Sequence, residues 1–342
     1  MQHFVSDRPF ALENGSTLPG IRIGYHTWGT LNADASNVVW ICHALTASSD
    51  AADWWPGMIG EGCTIDPARH FIVCANILGS CYGSTGPMEE NPATGEPYYH
   101  AFPQITVRDM VQAHILLRQH LGISSIYLLM GGSMGGYQAL EWSILEKENI
   151  RNLFLIATSA HESAWGIAIH TAQRLAIAAD QTWQENSATA GAAGLKAARA
   201  IGMLTYRHYE AFVRQQTDED ASKLDHFKAS SYIDYQGQKL VNRFNAYSYW
   251  ILGKAMDSHN ISRGRGGDVA ATLQIITQPT LIMAVDSDQL CPLSKQQFMA
   301  AHMPNASFEV ISSAFGHDGF LVEAPAISIA LRNWLHTYPL PS

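Results

Sequence analysis

The sequence predicts an α/β architecture: a mainly parallel sheet with helices on both faces and a helical insertion between its late strands. Three observations predict it. Short continuous apolar runs alternate with segments of helical period. One apolar run, Ile126-Tyr127-Leu128-Leu129-Met130, ends in Gly131-Gly132-Ser133-Met134-Gly135-Gly136 and leads into a helical pattern. Further on, an aspartate pair and a histidine each follow a late apolar run. Strands alternating with helices bury a parallel sheet on both faces, so its strands read as unbroken apolar stretches.

In chain order, Glu13-Asn14-Gly15-Ser16 is a turn with an Asn-Gly hairpin signal, and residues 20–30 partly alternate as a half-buried strand does. Asn37-Val38-Val39-Trp40-Ile41-Cys42 and Phe71-Ile72-Val73-Cys74-Ala75-Asn76 read as buried strands. Residues 78–99 form a long loop rich in glycine and small polar residues, a length that usually has a function. Residues 106–121 are helical, with Val107, Met110, Val111, Ile115 and Leu116 recurring at roughly helical spacing. Residues 126–142 read as strand, turn and helix, and Leu153-Phe154-Leu155-Ile156-Ala157 as the next strand. From residue 164 to 260 no buried strand is evident, and helical stretches are expected at 164–179, 191–215 and 243–256. Thr217-Asp218-Glu219-Asp220 is a solvated acidic turn and 261–268 a return linker. The sheet resumes at 280–285 and 307–311, and a final helix lies near 325–336. The expected division is a core of residues 1–163 and 269–342, with residues 164–268 as a helical lid insertion.

The serine turn fits G-x-S-x-G, the nucleophile elbow of α/β-hydrolase folds. Gly131 and Gly135 flank Ser133 where side chains would collide as the strand folds back into the helix. The stretch is neither a dinucleotide G-x-G-x-x-G, since Ser133 stands at its third position, nor a phosphate loop, since it lacks the lysine.

Composition excludes other classes. The 342 residues are 47% hydrophobic and 15% charged, an ordinary globular balance. A net charge of −9 argues against nucleic acid as a partner. The five cysteines include no C-x-x-C pair and read as free thiols of a reducing compartment, with Cys42 and Cys74 as core residues. No basic-then-apolar leader opens the chain and no apolar run is long enough for a membrane span. The expectation is a cytoplasmic protein with no membrane partner.

A serine hydroxyl needs a base, and the base an orienting acid. In this fold class the chain order is serine, acid, histidine. Asp286 and Asp288 follow the strand at 280–285, and His317 follows the strand at 307–311. Either aspartate could be the acid on position alone. The oxyanion hole is expected from the backbone amides of Met134 and Leu45, the latter in His43-Ala44-Leu45-Thr46. His43 reads as shaping that loop and not as a base. Metal-ligand spacing is weak, since His161-Glu162 lacks the second histidine of H-E-x-x-H. Arg199 and Tyr206 are seven residues apart on a helical stretch and share a face, which would suit a carboxylate.

Nearly the whole chain resembles the homoserine O-acyltransferases of methionine biosynthesis, most nearly their O-acetyltransferases. The resemblance rests on residues 43–46, 79–87, 91–95, 102–103, 106–110, 131–142, 231–237, 243–249, 287–292 and 316–321. It implies an α/β-hydrolase core, a helical lid that helps form a homodimer, and ping-pong acyl transfer without bound cofactor or metal. Ser133 would take the acyl group from acetyl-CoA, with His317 as base and Asp288 as its partner. Arg199 and Tyr206 would bind the carboxylate of L-homoserine, and Asp318 its ammonium group. The chain departs from the family at Ser80, at Tyr137, at Asn245 and across 185–190. The first two bear on the acyl pocket and leave a succinyl-CoA donor open. Serine as acceptor, or an esterase using water, are the alternatives.

Overall fold

Val38–Cys42 shows why the apolar runs are unbroken. Val38, Trp40 and Cys42 face one core and Val39 and Ile41 the other, all at most 1% exposed. A strand buried on both faces has no polar side to alternate with. A computed structural model describes residues 1–340 and places this strand within an eight-stranded sheet. Its strands are β1 (Gln2–Ser6), β2 (Ile21–Trp28), β3 (Val38–Cys42), β4 (Phe71–Ala75), β5 (Ile126–Gly132), β6 (Ile150–Ile156), β7 (Thr280–Val285) and β8 (Ala306–Ile311). In space they run β1-β2-β4-β3-β5-β6-β7-β8. Neighbours from β4 to β8 pair in parallel, while β2 is antiparallel to both β1 and β4.

The longer helices are α1 (Val107–His120), α2 (Met134–Leu145), α3 (Ala164–Ala178), α4 (Ala192–Tyr206), α5 (Tyr209–Gln216), α6 (Lys228–Val241), α7 (Ala246–Asp257), α8 (Leu293–His302) and α9 (Ala324–Thr337). α1 and α2 cover one face, where Trp40 meets Trp142 edge-on at 4.9 Å. α9 covers the other with Ile327, Leu331 and Trp334. α1 begins at Thr106, which forms a reciprocal capping box with Asp109.

α3 to α7 all lie between β6 and β7, as the strand-free stretch predicts. Two details differ from the sequence expectation. The stretch 191–215 is two helices, because Arg207 and His208 both adopt extended backbone. α6 was not expected: among its residues only Gly237 and Leu240 are buried, too few to set a helical period. β1 escaped for a similar reason, since Phe4 alone is buried in this edge strand. The expected core segment 269–342 runs past the described residues, since 341 and 342 lie outside them.

The return linker is tied to the core by ion pairs. Arg263 pairs with Glu13 at 2.7 Å, and Arg265 with Glu141 at 2.5 Å. Arg108, from α1, reaches both glutamates at 2.5 Å. Glu141 is nearly sealed from solvent and carries two guanidinium partners. Removing one member of such a buried network leaves the others uncompensated, at about 3–5 kcal/mol. Glu141→Gln should therefore lower the unfolding free energy by an amount of that order, read as a lower urea midpoint with the m-value unchanged. A loss below about 1 kcal/mol would mean that water already screens the cluster.

Candidate active site

The elbow is a product of close backbone approach. A Cβ on Gly131 would stand 2.2 Å from the Gly135 carbonyl oxygen, and one on Gly135 would stand 2.0 Å from that of Cys42. No other residue fits at either position. Ser133 itself takes φ 54° and ψ −128°, a conformation that costs a non-glycine residue roughly 1–3 kcal/mol. The strain is held in place by hydrogen bonds. The Ser133 amide donates to the Ile156 carbonyl at 3.1 Å, and the Thr158 hydroxyl donates to the Ser133 carbonyl at 2.8 Å. Ser133 stands at the N-terminus of α2, where the helix dipole favours negative charge.

The carboxyl ends of β7 and β8 deliver the other two groups. His317 places Nε2 2.8 Å from the Ser133 hydroxyl and Nδ1 2.7 Å from Asp288 Oδ2. Asp288 is buried, and its Oδ1 accepts from the amides of Leu290 at 2.8 Å and Cys291 at 2.9 Å. Those amides fix the carboxylate's direction. Asp286, the other acid that position allowed, is exposed and accepts from the Ser313 amide at 3.1 Å, which holds the β7 and β8 loops together. Geometry thus separates two aspartates that sequence position did not.

Leu45 and Met134 lie on either side of the serine in the chain's layout. Among the described residues, neither amide donates to another backbone group. The Gln138 side chain donates to the His43 carbonyl at 3.1 Å and so ties α2 to the Leu45 loop. His43 is fully buried, with Nδ1 on the Ala44 carbonyl at 2.8 Å and Nε2 accepting from the Ile77 amide at 3.2 Å. Burial pushes its pKa down to about 4, so it stays neutral and shapes the loop.

A cavity of about 580 Å³ opens over Ser133 and His317. Arg199, Tyr206 and Asp318 line it, so α4 and the loop after β8 converge there. The Arg199 guanidinium lies 5.3 Å from the centre of the Tyr206 ring, as two residues sharing a helical face should. The structure also brings in groups that sequence reasoning did not single out. Arg207 reaches Asp318 at 3.1 Å. His170, held through Nδ1 by Asp257 at 2.8 Å, lines the cavity with Lys239 and Arg243. Arg243 donates to the Thr46 carbonyl and the Tyr82 hydroxyl, both at 2.5 Å. None of these carries a local motif, because each partner is distant in sequence.

One set of donors has metal-like proximity: Asp288, Cys291 and His317 lie within 4.8 Å of one another. Both His317 nitrogens are already engaged, and burial holds the Cys291 thiol well above its ordinary pKa and so protonated. The donor set is spent on the Asp–His–Ser relay. Such a relay can draw a proton from the serine hydroxyl and return it to a leaving group.

These features define a chain of the α/β-hydrolase fold, and a family model of the alpha/beta hydrolase fold matches residues 37–324. Fold alone does not separate its activities. The crystal structure of homoserine O-acetyltransferase from Bacillus anthracis superposes with a TM-score of 0.90 at 24% identity, covering 98% of this chain and 96% of that one. Esterase E22 superposes with a TM-score of 0.89 at 23% identity, covering 98% and 99%. Sequence separates them. Homoserine O-acetyltransferase of Cyclobacterium marinum is 46% identical over 331 residues, 97% of this chain and 94% of the relative. The chain belongs to the homoserine O-acetyltransferase family.

The charge state of His317 follows from its neighbours. Burial alone would lower its pKa. The Asp288 charge and hydrogen bond, with Asp318 and Glu162 further off, outweigh burial and hold it above the ordinary 6.5. Asp288→Asn removes the main opposing influence. In imidazole NMR titrations His317 should titrate above 6.5 in the parent protein and lower in the variant. An unchanged midpoint would show that Asp288 is not its electrostatic partner.

Proposed function

We propose that this protein transfers an acetyl group from acetyl-CoA to the hydroxyl of L-homoserine, within methionine biosynthesis. The observation that carries this reading is the 46% identity with an acetyltransferase across 97% of the chain. The site geometry supports it. An esterase needs only the relay, whereas this cavity adds a guanidinium, a phenol and a carboxylate beside the serine, from Arg199, Tyr206 and Asp318. That set complements the two charged ends of an amino acid. Homology to named acetyltransferases favours acetyl over succinyl as the acyl group.

The mechanism follows from the atoms. Ser133 Oγ passes its proton to His317 Nε2 and attacks the thioester carbonyl carbon. The oxyanion is met by the amides of Leu45 and Met134. The C–S bond breaks, the proton on His317 goes to the departing CoA sulfur, and an acetyl ester remains on Ser133. Homoserine then enters with its carboxylate on Arg199 and Tyr206 and its ammonium on Asp318. Its hydroxyl gives a proton to His317 and attacks the ester carbonyl. The C–O bond to Ser133 breaks, and the serine oxygen takes the proton back. Asp288 keeps the imidazole oriented and stabilises its charged form throughout. Lys239 and Arg243 supply positive charge at the cavity for the donor's phosphates. No step calls on a metal or a bound cofactor; acetyl-CoA acts as co-substrate.

The helical segment is read as a lid and a dimer surface, with domain limits at 164 and 268. Supporting the dimer reading, an apolar groove of about 680 Å³ lies between α4, α5 and α6, beside exposed Leu204. Large exposed apolar patches mark interaction sites, and a second copy of the chain is the proposed occupant. Among the described residues no helix is long and apolar enough to cross a membrane. The free cysteines favour a cytoplasmic setting.

The direct test follows CoA release from acetyl-CoA with homoserine, serine or water as acceptor. Release should depend on homoserine, and equal release with water alone would establish an esterase instead. Mass spectrometry should find an acetyl adduct on the parent chain and none on Ser133→Ala; an adduct persisting in that variant would place the nucleophile elsewhere.

The two half-reactions separate the lid's role. Arg199→Ala removes a charge-assisted hydrogen bond of about 1.5–3 kcal/mol, roughly ten- to hundredfold in kcat/KM for homoserine. Acyl-enzyme formation from acetyl-CoA should stay near the parent rate. Equal loss in both half-reactions would contradict the carboxylate role.

A further inference from the structure

Asp318 already has a cationic partner. The Arg207 Nε lies 3.1 Å from Asp318 Oδ2, with side chains 24% and 18% exposed. Arg207 ends α4 in extended backbone, φ −100° and ψ 141°, so its side chain leaves the helix direction of Arg199 and Tyr206. Asp318 lines the cavity, and Arg207 is not among the residues that line it. The segment cannot drift away. A Cβ on Gly316, which has φ +64°, would stand 2.8 Å from the Tyr206 carbonyl oxygen and 2.9 Å from the His208 amide nitrogen. The lid backbone therefore rests directly on the loop that carries His317 and Asp318.

We propose that Arg207 is a positioning residue for the amino-acid acceptor: its positive charge beside one Asp318 oxygen keeps the carboxylate anionic and leaves the other oxygen for the acceptor's ammonium group. This rests on the reading that Asp318 receives that ammonium. Asp318 needs such a partner. Burial pushes its pKa up. Arg207 opposes this most strongly, then His317 and Arg199, while Asp288 adds to the rise. Arg199 is committed to the acceptor's carboxylate and His317 to Asp288 and Ser133. Without Arg207, burial and Asp288 would favour a protonated Asp318, which no longer attracts an ammonium.

The test compares Arg207→Gln, Arg207→Lys and Asp318→Asn with the parent, between pH 6.5 and 8.5. The burst of acyl-enzyme from acetyl-CoA alone counts folded, competent sites and should be unchanged in Arg207→Gln. Its KM for homoserine should rise severalfold at the low end of that pH range and by less at the high end, because higher pH favours the ionised Asp318. Arg207→Lys keeps the cation and should stay near the parent. With 4-hydroxybutyrate, the acceptor lacking the amine, Arg207→Gln and parent should agree. A loss equal at every pH, or a slowed burst, would overturn the proposal in favour of a scaffolding role. If Asp318→Asn raises the homoserine KM and Arg207→Gln does not, Arg207 has no part in acceptor binding. If Asp318→Asn leaves that KM untouched, the ammonium reading of Asp318 fails and the proposal with it.

Discussion

The contact between the Gly135 α-carbon and the Cys42 carbonyl is the constraint from which the site is built. With 2.0 Å between that oxygen and any Cβ, α2 can start only if residue 135 is glycine. The contact brings the ends of β3 and β5 together. Ser133 stands at that junction in its strained turn, and Leu45 lines the cavity over it. A looser turn would relieve the strain and lose the alignment. The parallel sheet supplies the rest, since β7 and β8 lie on the same side of β5 in register with β6. The loops after them reach the serine from one direction.

The strand ends supply Ser133, Asp288, His317 and Asp318, and the helical segment between β6 and β7 adds Arg199, Tyr206 and Arg207. Arg199 and Tyr206 lie on α4 and Arg207 directly after it, where the chain touches the His317 loop. A part-buried carboxylate is costly unless cations share it. For Asp318 the charges of Arg207, His317 and Arg199 oppose the effect of burial. In the proposed reaction the same charges that make the loop tolerable also recognise the acceptor.

What the sequence made legible follows from the range of each interaction. The elbow was readable because its steric rule acts over five residues, Gly131 to Gly135. Strands β3 to β7 were readable because burial on both faces leaves unbroken apolar runs. His317 and the pair of aspartates were readable as candidates, since loops after late strands are where the fold puts them. The choice between Asp286 and Asp288 was not. Both follow β7 within three residues, and the difference lies in which one the Leu290 and Cys291 amides capture. The resemblance to the acyltransferases made that choice in the sequence, and the hydrogen bonds explain it. The Arg207–Asp318 pair and the Glu141 network join residues far apart in the chain, so no local pattern announces them. α6 hid because a helix resting on a lid buries too little to show its period.

The near-identical superpositions on an acetyltransferase and an esterase now have a physical reading. Both chemistries form an ester on the serine, and they differ in what attacks it. Water is at high concentration and needs no binding site. An amino-acid hydroxyl competes with water only if binding energy holds it against the ester in a near-attack arrangement. That energy must come from groups reaching both charged ends of the acceptor while leaving its hydroxyl near His317. The core offers Asp318 after β8, while its loops after β3, β5 and β7 carry the proposed oxyanion amide, Ser133 and Asp288. The insertion between β6 and β7 can supply the rest, since its Arg199 and Tyr206 line the cavity over Ser133 and ion pairs at residues 263 and 265 fix its end. The choice of acceptor is therefore expected to sit in α3 to α7 and their contact with the β8 loop, where substitutions can alter it without disturbing the elbow.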